Sequence, residues 1–98
     1  MRYVFHPDAL AEYAEAVRYY AERNVTLAQS FIDAVEDAVY RLRETPQRYP
    51  MLEAGVRRCL VQRFPYAILY TVESEYILIL AVMHGRRKPD YWQLRRRE

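Results

Sequence analysis

Between Val56 and Trp92 the chain reads VRRCLVQRFPYAILYTVESEYILILAVMHGRRKPDYW, and no other stretch restricts the fold as much. Three runs rich in β-branched and aromatic residues are separated there by two short turn signals. Arg63-Phe64-Pro65-Tyr66 supplies the first turn, because Pro65 cannot donate to a strand ladder and fixes its own φ. Glu73-Ser74-Glu75 supplies the second. Loops this short join only antiparallel neighbours, so 56–63, 66–73 and 76–84 are predicted to form a three-stranded meander. The run 76–84 is apolar on both faces and suits an inner strand. The run 56–63 carries charge on both faces, with Arg57, Cys59, Val61 and Arg63 alternating with Arg58, Leu60 and Gln62. That suits a place nearer an edge or along a cleft.

Upstream residues look like cover for one face of this sheet. Arg2 to Phe5 reads as an added strand, stopped by His6-Pro7. Leu10, Tyr13, Val17 and Tyr20 recur at helical spacing, and Arg23-Asn24-Val25 breaks the pattern. Thr26 with Gln29 three residues on resembles a capping box, followed by a stripe of Ala28, Phe31, Ile32, Val35, Ala38, Val39 and Leu42. Thr45-Pro46 ends that helix, and 45–55 is expected to be a turn-rich loop. The expectation is an α+β domain over 1–98, element order β-α-α-β-β-β, with an αα-hairpin packed on one face of a small antiparallel sheet.

A length of 98 residues with 52% hydrophobic and 14% aromatic content fits one small domain with its own core. One cysteine and two histidines provide no disulfide or metal framework, so no metal or cofactor is expected, and Cys59 reads as a packing thiol. No apolar run is long enough to span a bilayer, and the opening residues lack a signal-peptide pattern, so a cytoplasmic protein without membrane contact is expected. Charge is unevenly laid out. Residues 1–50 hold six basic and eight acidic side chains, net −2, whereas residues 51–98 hold nine and five, net +4. Of the 15 basic residues, 14 are arginine, the side chain that forks onto phosphate or carboxylate and stacks on rings.

No familiar hydrolase motif is present, and two glycines cannot build a phosphate-cradling loop. Glu12 and Glu15 read as a solvated helix face. What remains is a set of donors and rings: Arg57, Arg58 and Arg63 from one strand, and His84, Arg86, Arg87, Lys88, Tyr91 and Trp92 from the end of the last strand and just beyond. Such a set can hold a nucleic-acid backbone and stack bases, and without a metal its arginines could stabilise a phosphorane while His or Tyr moves the proton. It equally describes a solvated basic tail whose Tyr91 and Trp92 plug the sheet edge.

Pro7, Ala9, Tyr19-Tyr20, Phe31, Pro46, Tyr49-Pro50, Arg57-Arg58, Phe64-Pro65-Tyr66, Ile68, Tyr70, Ile77 to His84 and Arg86-Arg87-Lys88-Pro89-Asp90-Tyr91-Trp92 together resemble the RelE/ParE superfamily of type II toxins. The resemblance spans essentially the whole chain and implies the same β-α-α-β-β-β fold, the family of plasmid stabilisation toxins, and a cognate antitoxin that wraps and silences the toxin in a hetero-oligomer. It implies one of two activities: inhibition of DNA gyrase by ParE-type members, or cutting of mRNA on the ribosome by RelE-type interferases. A third outcome is a non-toxic relic that only binds antitoxin. For a metal-independent endoribonuclease the resemblance would assign Arg58, Arg86 and a terminal tyrosine at Tyr91 (or, with a one-residue shift, at the position of Trp92) to catalysis, with His84 and Arg63 as groups that could compensate for missing ones. For target or antitoxin binding it would use Arg57, Arg58, Arg63, Arg86, Arg87, Lys88 and Trp92. Two positions depart from the nuclease pattern: its second basic site on the first meander strand falls at Leu60, and its arginine after Tyr66 falls at Ala67. Each charge-assisted contact of that kind contributes roughly 1.5–3 kcal/mol, so their loss favours the gyrase-inhibiting branch.

Overall fold

The structure, a computed structural model, describes residues 1–53, 55–88 and 90–97. Pro89, within the stretch that carries the resemblance, lies outside the described residues. The elements are β1 (Arg2–Phe5), α1 (Pro7–Ala21), α2 (Val25–Glu44), β2 (Met51–Glu53), β3 (Val56–Leu60), β4 (Tyr66–Val72), β5 (Tyr76–His84) and a C-terminal 3₁₀ helix (Gln93–Arg97). One five-stranded sheet runs in the order β1-β5-β4-β3-β2. The meander pairs antiparallel, as its short turns require, but β1 pairs parallel to β5, so the sheet is mixed rather than antiparallel throughout. The two helices between β1 and the meander make that parallel return possible.

Two boundaries differ from the sequence reading. The strand expected over 56–63 stops at Leu60, because Val61 N donates back to Tyr66 O at 3.0 Å and Arg63 takes a left-handed backbone, φ 70°. A short β2 forms within the loop expected over 45–55 and pairs with β3, which therefore sits one place in from the edge.

Both helices lie on one face of the sheet. α2 buries Ala28, Phe31, Ala34, Val35, Ala38, Val39 and Leu42, a 3.6-residue stripe, but its cap is not the Thr26 box. Asn24 Oδ1 accepts from Leu27 N at 3.0 Å, so the helix starts at Val25, and the Gln29 amide turns outward to Asp33 at 2.9 Å. α1 buries Ala9 and Ala16 with Tyr13, Val17 and Tyr20 beside them, while Leu10, expected inside, is 53% exposed. The shared core joins Phe31, Val35, Leu42, Ile68, Tyr70 and Ile79, with rings of Tyr20, Phe64 and Tyr66 packed around Phe31 at 5.0–5.2 Å. Cys59 belongs to this core as a packing thiol; its Sγ donates to Ala38 O at 3.7 Å, and burial pushes the thiol pKa up.

A second, smaller core forms on the opposite face from Val56, Ala67, Leu69, Leu80, Ala81 and Trp92. A bulge explains why 76–84 is apolar on both faces. Leu69 pairs with Ala81 and Tyr70 with Ile79, leaving Leu80 unpaired across the ladder. The extra residue resets the alternation, so Ile77, Ile79 and Val82 face the helices while Leu80 and Ala81 both face the second core.

Candidate functional site

The chemistry-bearing residues fall into three places set by strand alternation and by the path of the tail. In β3, Arg57 and Arg58 point to opposite faces. On the helix side, Arg57 donates to Tyr49 O at 2.7 Å and to Gln47 Oε1 at 3.0 Å, and so ties down the loop after α2. Tyr70 Oη reinforces the same loop by donating to Pro46 O at 2.7 Å. Arg57 is thus spent on holding its own chain. Arg58 faces the other way and makes no side-chain hydrogen bond or ion pair among the described residues.

On that outer face the 3₁₀ helix covers only one half of the sheet. Trp92, 2% exposed, fills the second core, and Gln93 Nε2 reaches Glu53 Oε1 at 3.2 Å. Trp92 therefore belongs to the core and presents no surface to a partner, which corrects the sequence reading. The uncovered half forms a cavity of about 510 Å³ with Leu60, Phe64, Ala67 and Met83 in its lining and Arg58 and Arg87 beside them. Among the described residues no acidic side chain lines it. Leu60 and Ala67, the two positions that depart from the nuclease pattern, are neighbours here: they pair directly across β3 and β4.

His84 and Arg86 lie elsewhere. The His84 ring meets Tyr66 edge-on at 5.0 Å on the helix side, and its Nδ1 accepts from Arg86 N at 3.0 Å. Both line a cavity of about 700 Å³ with Tyr19, Tyr20 and Tyr66. Arg86 and Lys88 are exposed, as is Arg63 in its turn.

Tyr91 is held at a third place, the rim of β5. Pairing with β1 ends at Ile79, and beyond it side chains replace the missing strand. Glu12 Oε1 accepts from Val82 N at 3.0 Å, and Arg95 Nη1 donates to Leu80 O at 3.1 Å. The Glu12 carboxylate also accepts from Tyr91 Oη at 2.6 Å and from both Arg95 terminal nitrogens at 2.9 Å. Burial and this hydrogen bond push the Tyr91 phenol far above its ordinary range, while Arg87 lies 3.9 Å over its ring.

Glu12 and Arg95 are the residues that sequence reasoning missed. Glu12 was expected to be solvated with Glu15, yet its side chain is only 16% exposed and that of Arg95 12%. The available signal was position: Glu12 lies between Ala9 and Ala16 on the buried stripe of α1. The four residues assigned to a nuclease are consequently not gathered. Arg58 lines the outer-face cavity and His84 and Arg86 the helix-side cavity, while His84 also shares with Tyr91 a cavity of about 440 Å³ lined by Glu12, Tyr66 and Arg87, in which the Tyr91 hydroxyl is bonded to Glu12.

Comparison with known proteins agrees with this architecture. The family model described as ParE toxin of type II toxin–antitoxin system, parDE, matches residues 3–89. Among solved structures, the chain is similar to one described as a chromosomal ParDE TA system from P. aeruginosa. The TM-score is 0.63 at 21% identity, covering 86% of this chain and 95% of that one. No curated protein sequence matches the chain. Among the described residues no helix is long and apolar enough to cross a membrane. With its family match spanning both helices and all five strands, the chain belongs to the ParE toxin family of type II toxin–antitoxin systems.

Proposed function

We propose that the chain acts as a single toxin domain that arrests growth by binding DNA gyrase, and that a cognate antitoxin neutralises it in a cytoplasmic hetero-oligomer. The observation that carries this reading is the outer-face cavity: Leu60, Ala67 and Met83 stand between Arg58 and Arg87. Phosphoryl chemistry needs cations converging on one phosphate, and an apolar lining offers none at the centre. A protein surface with an apolar centre and charged margins is the usual form of a protein-binding patch.

The unpaired arginines of the C-terminal half favour acidic partners. The antitoxin's extended segment is proposed to cross the sheet and the groove beside the helices, placing carboxylates against Arg58 and Arg86. Charge reversal at both positions is expected to weaken complex formation by at least tenfold, at about 1.4 kcal/mol per decade. Unchanged affinity would remove this picture.

The deciding experiment is controlled induction of the toxin alone, combined with a supercoiling assay on purified gyrase. Induction of the DNA-damage response with continuing protein synthesis, and loss of supercoiling in vitro, is the expected result. Immediate translation arrest with ribosome-positioned mRNA cuts by primer extension would instead establish the interferase alternative, which the shared cavity of His84, Arg86 and Tyr66 favours. Normal growth after induction would leave the antitoxin-binding relic.

A further inference from the structure

We infer that the outer-face cavity is a docking pocket for a partner peptide that inserts an apolar side chain flanked by carboxylates. The inference rests on the toxin reading only in taking the partner to be a protein, and it names the chemistry by which that partner is held.

The pocket has features that a merely incomplete core would lack. Leu60 projects from β3 at 59% exposure, next to Cys59, which is fully buried on the other face. It faces Ala67 across the ladder, and this large–small pair leaves a hollow rather than a ridge. Its volume of about 510 Å³ lies within the range of small-ligand sites, roughly 300–1,000 Å³. The hollow is also rigidly framed. Val61 N to Tyr66 O at 3.0 Å closes one end, and Gly85 N to Pro65 O at 2.8 Å ties the β4 turn to the end of β5. Gly85 lines the cavity at that crossing.

Charge completes the assignment. Arg58 is half-buried without a side-chain partner among the described residues, and Arg87, stacked on Tyr91, stands on the opposite side. A desolvating guanidinium gains most from a carboxylate that brings its own shielding, because displacing water strengthens the pair. An apolar anchor between two carboxylates meets all three parts of the pocket. A nucleic acid strand meets them less well: the lining of Leu60, Ala67 and Met83 reads no base edge, and the two rings of the lining, Phe64 and Tyr66, are already packed against Phe31.

The test uses the intact chain and a fluorescein-labelled hexapeptide, Glu-Glu-Leu-Phe-Asp-Glu, in fluorescence anisotropy. Binding is expected, with at least tenfold loss when the Leu-Phe pair is replaced by Ala-Ala, as burial of such side chains implies. Arg58→Gln is expected to cost about tenfold and to flatten the salt dependence. Leu60→Lys, at an exposed position that fold stability does not depend on, is expected to abolish the preference for Leu-Phe over Ala-Ala. No measurable binding, or equal binding of the Ala-Ala peptide, would overturn the inference. So would a labelled oligouridine that binds more tightly than the peptide and loses affinity with Arg58→Gln. The growth assay separates the two readings. A chain that binds the peptide but leaves growth unaffected keeps the pocket and loses the toxin activity, and the reverse result loses only the pocket.

Discussion

Replacing Glu12 with glutamine keeps the side chain's shape and removes the one charge on which the rim of β5 converges. In the folded chain the carboxylate accepts from Val82 N at 3.0 Å, Tyr91 Oη at 2.6 Å and two Arg95 nitrogens at 2.9 Å. A glutamine has one acceptor oxygen, and its amide group would face donors. At least two charge-assisted bonds are therefore lost, and among the described residues Arg95 retains as its anionic neighbour only the largely exposed Asp8 at 3.8 Å. Taking about 1.5 kcal/mol per bond, the low end because both groups keep some contact with water, gives a loss of about 3 kcal/mol. For a chain of 98 residues, one kcal/mol moves the thermal midpoint by about 4–8 °C, so the expected drop is at least about 12 °C. Circular dichroism melts of the wild type and the variant measure it. Glu15→Gln is the control. Among the described residues Glu15 pairs only with the exposed Arg18, so it should shift the midpoint by no more than about 2 °C. Equal, small shifts for both variants would refute the view that the rim is sealed by charge.

Other expectations are independent of this network. Tyr13 and Tyr70 have phenols pushed up to about 12, mainly by burial, and Tyr91 is raised further by burial and Glu12. Their folded pKa values exceed the unfolded one, so their contribution is complete below about pH 10 and is lost as pH rises towards 12. Absorbance at 295 nm should show these phenols ionising late and together with unfolding, and early titration of all ten tyrosines in a still-folded chain would contradict it. Asn24→Ala should cost about 1 kcal/mol in urea denaturation, with Thr26→Ala costing less, because Asn24 and not Thr26 caps α2. Phe31→Ala removes the ring around which Tyr20, Phe64 and Tyr66 gather and should cost about 3–5 kcal/mol. A loss under about 1 kcal/mol in the same assay would mean that the ring cluster is not close-packed.

The sheet was legible because its turns are short and its strands β-branched, and α2 because its stripe repeats without interruption. Those are local signals. The limits of β3 were not legible, since the left-handed backbone at Arg63 follows from the hairpin that Val61 and Tyr66 close. β2 was missed because three exposed residues carry no periodicity. The parallel pairing of β1 is a matter of topology, which residue patterns do not encode. Of the candidate site, the departures at Leu60 and Ala67 were readable in the sequence, and the structure adds that they meet in one hollow. Arg57, Arg58, His84, Arg86, Tyr91 and Trp92 looked like one cluster because they are basic or aromatic. Strand alternation separates Arg57 from Arg58, the bulge at Leu80 decides which face His84 takes, and burial removes Trp92. Glu12 looked like Glu15 because charge pattern alone does not say which stretch of helix will lie over an unpaired strand rim.

The rim of β5 also bears on when the molecule becomes itself during synthesis. Glu12 and Arg95 are separated by 83 positions and Glu12 and Tyr91 by 79, so the carboxylate is made long before the groups that pair with it. Until those residues leave the ribosome, α1 carries a charge aimed at an apolar sheet and β5 has an open backbone edge. Chains released early, short of Tyr91, are expected to remain loose and to be cleared by proteolysis rather than to accumulate. Quality control of this ParE-family chain is thereby written into the order in which its atoms are made.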